Sequence, residues 1–185
     1  MLTKNIIFTG MPGSGKGTQA VFLASKLNIP HISTGDIFRD EMKRETLLGL
    51  SITKSMNAGQ YTSDEITNAV VAGRLSQPDC VNGFILDGYP RTINQVEFLD
   101  SVGVKVDTVI DLEIDPELAL NRLLGRAKEQ SRGDDDEAVI RGRIDTYFAT
   151  VLPVLNEYQN RELVKTISAI GKISVISEAI FIAVN

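Results

Sequence analysis

Short apolar runs separated by longer stretches of helical period dominate the hydrophobic pattern of this chain. Runs of strand character fall at residues 5–9, 31–32, 83–87, 106–113 and 163–167, and apolar side chains recur between them at three- and four-residue intervals. Such alternation predicts parallel strands joined by right-handed crossovers, hence a three-layer α/β fold around a parallel five-stranded sheet. One interval is too long for a single crossover, because a helical pattern punctuated by Gly49 and Gly59 runs from residue 36 to about residue 76. A small helical subdomain inserted on the core is the economical explanation. A polar patch at residues 125–136 interrupts the helical pattern and predicts a short mobile flap, bracketed by Arg126 and Arg132. At the end of the chain Ile173, Ile176, Ile180 and Val184 recur at helical spacing. So short an apolar face predicts a packed terminal helix rather than a membrane or partner contact.

Chemistry enters where the first strand breaks. Residues 10–18 read Gly-Met-Pro-Gly-Ser-Gly-Lys-Gly-Thr, and Ala20, Leu23, Ala24 and Leu27 follow at helical spacing. Gly10, Gly13 and Gly15 open backbone conformations in which several N–H groups converge on phosphate oxygens, and Lys16 adds a point charge. The loop then leads into a helix N-terminus, which favours anions. The match to G-x-x-x-x-G-K-[ST] runs from Gly10 to Lys16 and departs at Gly17, where a hydroxyl usually contacts Mg²⁺. That shifts the hydroxyl to Thr18 and predicts a metal held mostly by water and phosphates. A dinucleotide-binding turn using Gly13, Gly15 and Asp36 is the weaker alternative. It lacks the third glycine of its fingerprint, a lysine inside the turn is foreign to it, and Asp36 reads as the start of a helix.

Length and composition narrow the setting. At 185 residues and 43% apolar the chain suits one compact domain, and its net charge of −5 argues against a nucleic-acid surface. No apolar run approaches the ~20 residues of a membrane span, and the N-terminus lacks signal-peptide flanks, so a cytoplasmic setting is expected. The single cysteine, Cys80, reads as a small buried hydrophobe; with no second cysteine, a zinc site is not expected.

A second constellation lies at residues 84–91, Phe-Ile-Leu-Asp-Gly-Tyr-Pro-Arg, an apolar strand ending in Asp87 and a turn carrying Arg91. Doubly wound sheets bind ligands at their strand carboxyl ends. Asp87 is thereby expected to order the water shell of the loop's Mg²⁺, and Arg91 to face the phosphates.

Taken with residues 31–39 (His-Ile-Ser-Thr-Gly-Asp-Ile-Phe-Arg), Gly59-Gln60, Gln95, and residues 132–137 with Arg143, these motifs span nearly the whole chain. The sequence resembles the nucleoside monophosphate kinases, and most closely the adenylate kinases of the short-lid type. The resemblance implies a P-loop core of residues 1–32, 63–124 and 136–185, a monophosphate-binding insertion at 33–62 and a short lid at 125–135. It assigns Gly13, Ser14, Gly15, Lys16, Gly17 and Thr18 to the ATP phosphates, with Arg126 and the backbone near Gly171 around adenine. It assigns Thr34, Arg39, Gln60, Tyr61, Thr62, Gly88, Tyr89, Pro90, Arg91 and Gln95 to AMP. Lys16, Arg91, Arg132 and Arg143 become the catalytic cations, the last two arginines reaching the phosphoryl group from the lid and the helix after it.

The reaction so implied is Mg·ATP + AMP ⇌ 2 ADP, with no dedicated general base and with a monomer free to close over its substrates. A UMP/CMP kinase is the nearest alternative. Thr34 and Gln95 favour AMP, since UMP/CMP kinases tend to carry alanine and asparagine there. A P-loop ATPase or nucleotide switch is more distant, because it leaves Arg39 and Arg91 without a second phosphorylated ligand. Residues 61–65, Tyr-Thr-Ser-Asp-Glu, depart from the more aliphatic stretch usual in the family, and Gly142 interrupts a helical pattern.

Overall fold

The computed structural model describes residues 4–130 and 136–185, with the backbone alone for 127–130. In chain order the elements are β1 (Lys4–Gly10), α1 (Lys16–Leu27), β2 (His31–Ser33), α2 (Thr34–Lys43), α3 (Leu47–Asn57), α4 (Asp64–Leu75) and β3 (Gly83–Asp87). There follow α5 (Ile93–Ser101), β4 (Thr108–Glu113), α6 (Pro116–Gln130), α7 (Glu137–Asn160), β5 (Val164–Ser168) and α8 (Ile173–Ala183).

The sheet has five strands in the order β2-β3-β1-β4-β5, and each neighbouring pair is parallel. Strand period explains the layers. Ile6, Phe8, Ile85, Ile110 and Leu112 face α1, α6 and α8 in one buried cluster. Their chain neighbours Ile7, Phe84, Leu86 and Val109 face α4 and α5 in another. Both faces are covered, so the strands read as unbroken apolar runs. Each fully buried side chain of the size of Phe8 or Ile85 contributes roughly 1.5–3 kcal/mol. The terminal helix α8 sends Ile176, Ile180 and Val184 into the first cluster, as its spacing predicts.

The described elements depart from the sequence pattern in three places, each with a local cause. Strand β4 starts at Thr108 rather than at residue 106. The Asp107 carboxylate accepts from the Asn5 N–H at 2.8 Å, so a side chain takes a ladder bond before regular pairing begins. Helix α6 runs to Gln130, past the expected start of the flap, because Ala127, Lys128, Glu129 and Gln130 are all strong helix formers. Residues 131–135, with Arg132, lie outside the described residues.

Gly49, which read as punctuation, sits inside α3 instead. The break falls at residues 44–46, where Glu45 adopts φ 53° and Thr46 caps α3 by accepting from Gly49 N. A Cβ on Gly49 would stand 2.1 Å from Glu41 O, so this glycine exists to let α3 approach α2.

Gly142 in α7 is the opposite case, since a Cβ there would meet nothing within 4 Å. Gly142→Ala should stabilise the protein by ~1 kcal/mol, raising the thermal midpoint by about 2–4 °C. Gly49→Ala should lower the midpoint, at a cost of ~1–3 kcal/mol for overpacking. Thermal unfolding of the two variants beside the parent checks both signs.

Candidate active site

The parallel register brings two turns together. Phe8 pairs with Asp87, so the glycine loop after β1 and the Asp87–Arg91 turn after β3 leave the same edge of the sheet on adjacent strands. Gly15 forms the N-cap of α1 at φ 92°, with no side-chain cap and no acidic residue in the first turn. The helix N-terminus therefore keeps its donors and its positive end for an anion. Gly13 packs the loop against α6, where an added Cβ would sit 2.6 Å from Ala119 O.

Lys16 Nζ donates to Gly10 O at 2.7 Å and Met11 O at 3.1 Å, folding back over its own loop. Burial lowers its pKa from 10.5 to about 8; Asp87 opposes that shift, while Arg91, Arg143 and Arg126 add to it. Asp87 is itself only 8% exposed, and its Oδ2 lies 3.2 Å from His31 Nε2.

Three connected hollows surround these groups. An open cleft of about 1570 Å³ is lined by Gly13, Gly15, Lys16, Gly17, Thr18, Asp87 and Arg126 among others. A pocket of about 560 Å³ is lined by Thr34, Arg39, Gln60, Tyr61, Thr62 and Gln95. A hollow of about 490 Å³ between them takes Lys16, Tyr61 and Pro90. Gly88, Arg91 and Arg143 line all three.

The turn holds Arg91 firmly. Its Nε donates to Gly88 O at 2.7 Å, and its guanidinium lies 4.3 Å from the centre of the Tyr61 ring, a cation–π contact. Tyr61, one of the departures from the family pattern, thus supports an arginine of the site. Thr34 Oγ1 donates to the same Gly88 carbonyl at 3.2 Å. Arg39 pairs with Asp36 one helical turn earlier. Buried Ser14 Oγ and Thr62 Oγ1 have no hydrogen-bond partner among the described residues, one beneath the loop and one in the pocket wall.

Some expected residues lie elsewhere. Tyr89 lines none of the three hollows; it is buried in the core and donates to Asn68 Oδ1 at 2.6 Å. Gly171, at φ 128° in the turn before α8, lines none of them either.

Other residues went unmarked in the sequence. Arg122, one turn before Arg126 on α6, reaches the open cleft while donating to Ala169 O at 3.0 Å. Its i,i+4 relation to Arg126 was the available signal. Phe38 and Met56 wall the smaller pocket, and only the packing of α2 and α3 identifies them.

The lowered lysine pKa has a consequence for stability. The unfolded chain keeps Lys16 protonated up to about 10.5 and the folded chain only up to about 8. Between those values the unfolded state binds more protons, so the Lys16 contribution to stability rises with pH and its penalty is greatest below pH 8. Lys16→Met should therefore raise the thermal midpoint of the ligand-free protein at pH 7, by a margin that shrinks from pH 8 towards 10.5. A variant less stable than the parent at pH 7, with a pH-independent gap, contradicts this.

The sequence has matches of the same kind. A family model described as adenylate kinase matches residues 8–163. The adenylate kinase of Renibacterium salmoninarum is 47% identical over 184 residues, covering 97% of this chain and 95% of that protein. That of Nocardioides sp. is 44% identical over 184 residues, covering 97% and 96%. That of Leptospira biflexa is 40% identical over 181 residues, covering 96% and 97%. With those matches spanning nearly the whole of both partners, and the sheet order and glycine loop in place beneath them, the chain belongs to the adenylate kinase family and is a nucleoside monophosphate phosphotransferase.

Proposed function

We propose that this protein transfers the terminal phosphoryl group of Mg·ATP to AMP, reversibly, giving two ADP. The observation that carries the reading is the position of Arg91 and Arg143 on all three hollows, with Lys16 on the two nearer the loop. A phosphoryl group passing between a donor in the open cleft and an acceptor in the smaller pocket crosses that junction.

The donor phosphates rest on the loop from Gly13 to Thr18, and Lys16 exchanges the Gly10 and Met11 carbonyls for phosphate oxygen. Arg126 flanks the donor base, with the Gly171 turn behind it, outside the lining of the cleft. The acceptor lies among Thr34, Arg39, Gln60, Tyr61, Thr62, Gly88, Pro90, Arg91 and Gln95, with Tyr89 supporting that wall from the core. An AMP phosphate oxygen is already nucleophilic, so the protein aligns the reactants and stabilises charge on the equatorial oxygens. Arg91 and Arg143 suit that task through their planar forks; Arg132 belongs to the same proposal.

The donor set fits a magnesium ion brought in by nucleotide. Asp87 is a nearly buried carboxylate facing the loop, and a Cβ on Gly17 would touch its Oδ2 at 3.5 Å, so glycine there keeps a side chain from covering the carboxylate. Among the described residues no group of three or more His, Cys, Asp or Glu side chains could hold a metal by itself. Bound to phosphate oxygens, the ion neutralises charge that develops on them. The reading extends to a metal-free lid at 125–135, an insertion at 33–62 that closes on the core, and a monomer working in the cytoplasm. No described helix is long and apolar enough to cross a membrane.

Purified protein given Mg·ATP should phosphorylate AMP with a higher kcat/KM than CMP or UMP and hydrolyse ATP only slowly without an acceptor. Lys16→Met should lower kcat by at least ~100-fold, as expected for loss of one preorganised charge partner. Equal or better turnover of a pyrimidine monophosphate, or acceptor-independent hydrolysis as the main reaction, overturns the assignment.

A further inference from the structure

Gln95 is 3% exposed and lines the acceptor pocket, yet its amide is already engaged on both ends. Its Oε1 accepts from the Arg91 main-chain N–H at 2.7 Å, and its Nε2 donates to Asp64 Oδ1 at 2.7 Å. The other Asp64 oxygen accepts from Thr92 Oγ1 at 2.8 Å, and Thr92 Oγ1 in turn accepts from Gln95 N at 3.2 Å as the cap of α5. Asp64 opens α4, so this network ties the starts of α4 and α5 to the Arg91 turn.

The chemistry of the partners fixes the direction of the amide. A carboxylate only accepts and a main-chain N–H only donates. Turning the Gln95 amide over would set its oxygen against the Asp64 carboxylate and its NH₂ against the Arg91 N–H, two repulsive contacts in a buried place. An amide carries two N–H donors and two lone pairs, and the network uses one of each. One donor and one acceptor remain for the pocket, in an order that cannot reverse.

We infer that Asp64 is a positioning residue which locks the Gln95 amide so that the acceptor pocket discriminates amino-substituted bases from oxo-substituted ones. This rests on the proposed acceptor role of the pocket. A 6-aminopurine offers an exocyclic donor beside a ring-nitrogen acceptor and matches the fixed edge. A 6-oxopurine offers an acceptor beside a ring N–H and needs the edge reversed. An amide free to turn over satisfies either base, so the selectivity comes from Asp64 and the Arg91 N–H as much as from Gln95.

The test compares kcat/KM for AMP and for inosine monophosphate, which differ in the base by exchange of the 6-amino group for oxygen. It uses the parent protein, Asp64→Asn and Asp64→Ser; the serine variant covers failure of the first to fold. The parent should prefer AMP strongly, since a site built to pair a polar group rejects an analogue that leaves it unpaired by up to ~10⁴-fold. In either folded variant the AMP-to-inosine ratio should fall at least ~10-fold, mostly through KM, because base pairing is made alike in ground and transition states. A merely structural role lowers both substrates together and leaves the ratio in place, which overturns the inference. So does a parent protein that uses both monophosphates equally, whatever the variants do. A parent that phosphorylates neither overturns the proposed function itself, an outcome separate from the others.

Discussion

Positive charge drawn partly out of water at the carboxyl edge of the sheet is the constraint around which this molecule is organised. Lys16 is half-buried, Asp87 raises its pKa and Arg91, Arg143 and Arg126 lower it, and the resulting value of about 8 records the cost. Such an arrangement disfavours the ligand-free protein, and under the proposed function phosphate relieves it. The apolar core makes it tolerable: two buried clusters, one on each face of the sheet, hold β1 and β3 in register so that the loop and the Asp87 turn cannot drift apart. Stability is thus invested in the scaffold and withdrawn locally at the site.

The acceptor side follows a different logic. Apart from Thr62 Oγ1, the polar groups named there are satisfied by one another: Thr34 and Arg91 share the Gly88 carbonyl, Arg39 holds Asp36, and Gln95 bridges Asp64 and the Arg91 backbone. Satisfied networks hold geometry, and geometry is what reading a base requires. In the proposed function, charge recognition and base recognition therefore meet at one residue. Arg91 lines the hollow between the two larger ones and holds the Gln95 amide through its N–H.

The fold was legible because period-2 and period-3.6 patterns alternate cleanly, and all five strands lie within a few residues of their apolar runs. The glycine loop was legible because its residues have few other uses in that order. Gly49 was misleading, since a glycine that permits close helix packing and one that ends a helix look alike in sequence; only the Glu41 carbonyl against it distinguishes them. Asp64 stood out only as part of the 61–65 departure from the family pattern, and nothing local marks that it meets a side chain far along the chain. Long-range polar pairing of that kind carries no periodic signal.

NMR titration of the Lys16 side chain, labelled at Cε and Nζ, measures its charge state directly. Ligand-free protein should titrate near pH 8, and saturation with ADP should raise that value to at least the ~10.4 of an unperturbed lysine, because phosphate supplies the missing counter-charge. A ligand-free pKa already near the unperturbed value, or one that does not move when nucleotide binds, contradicts the account.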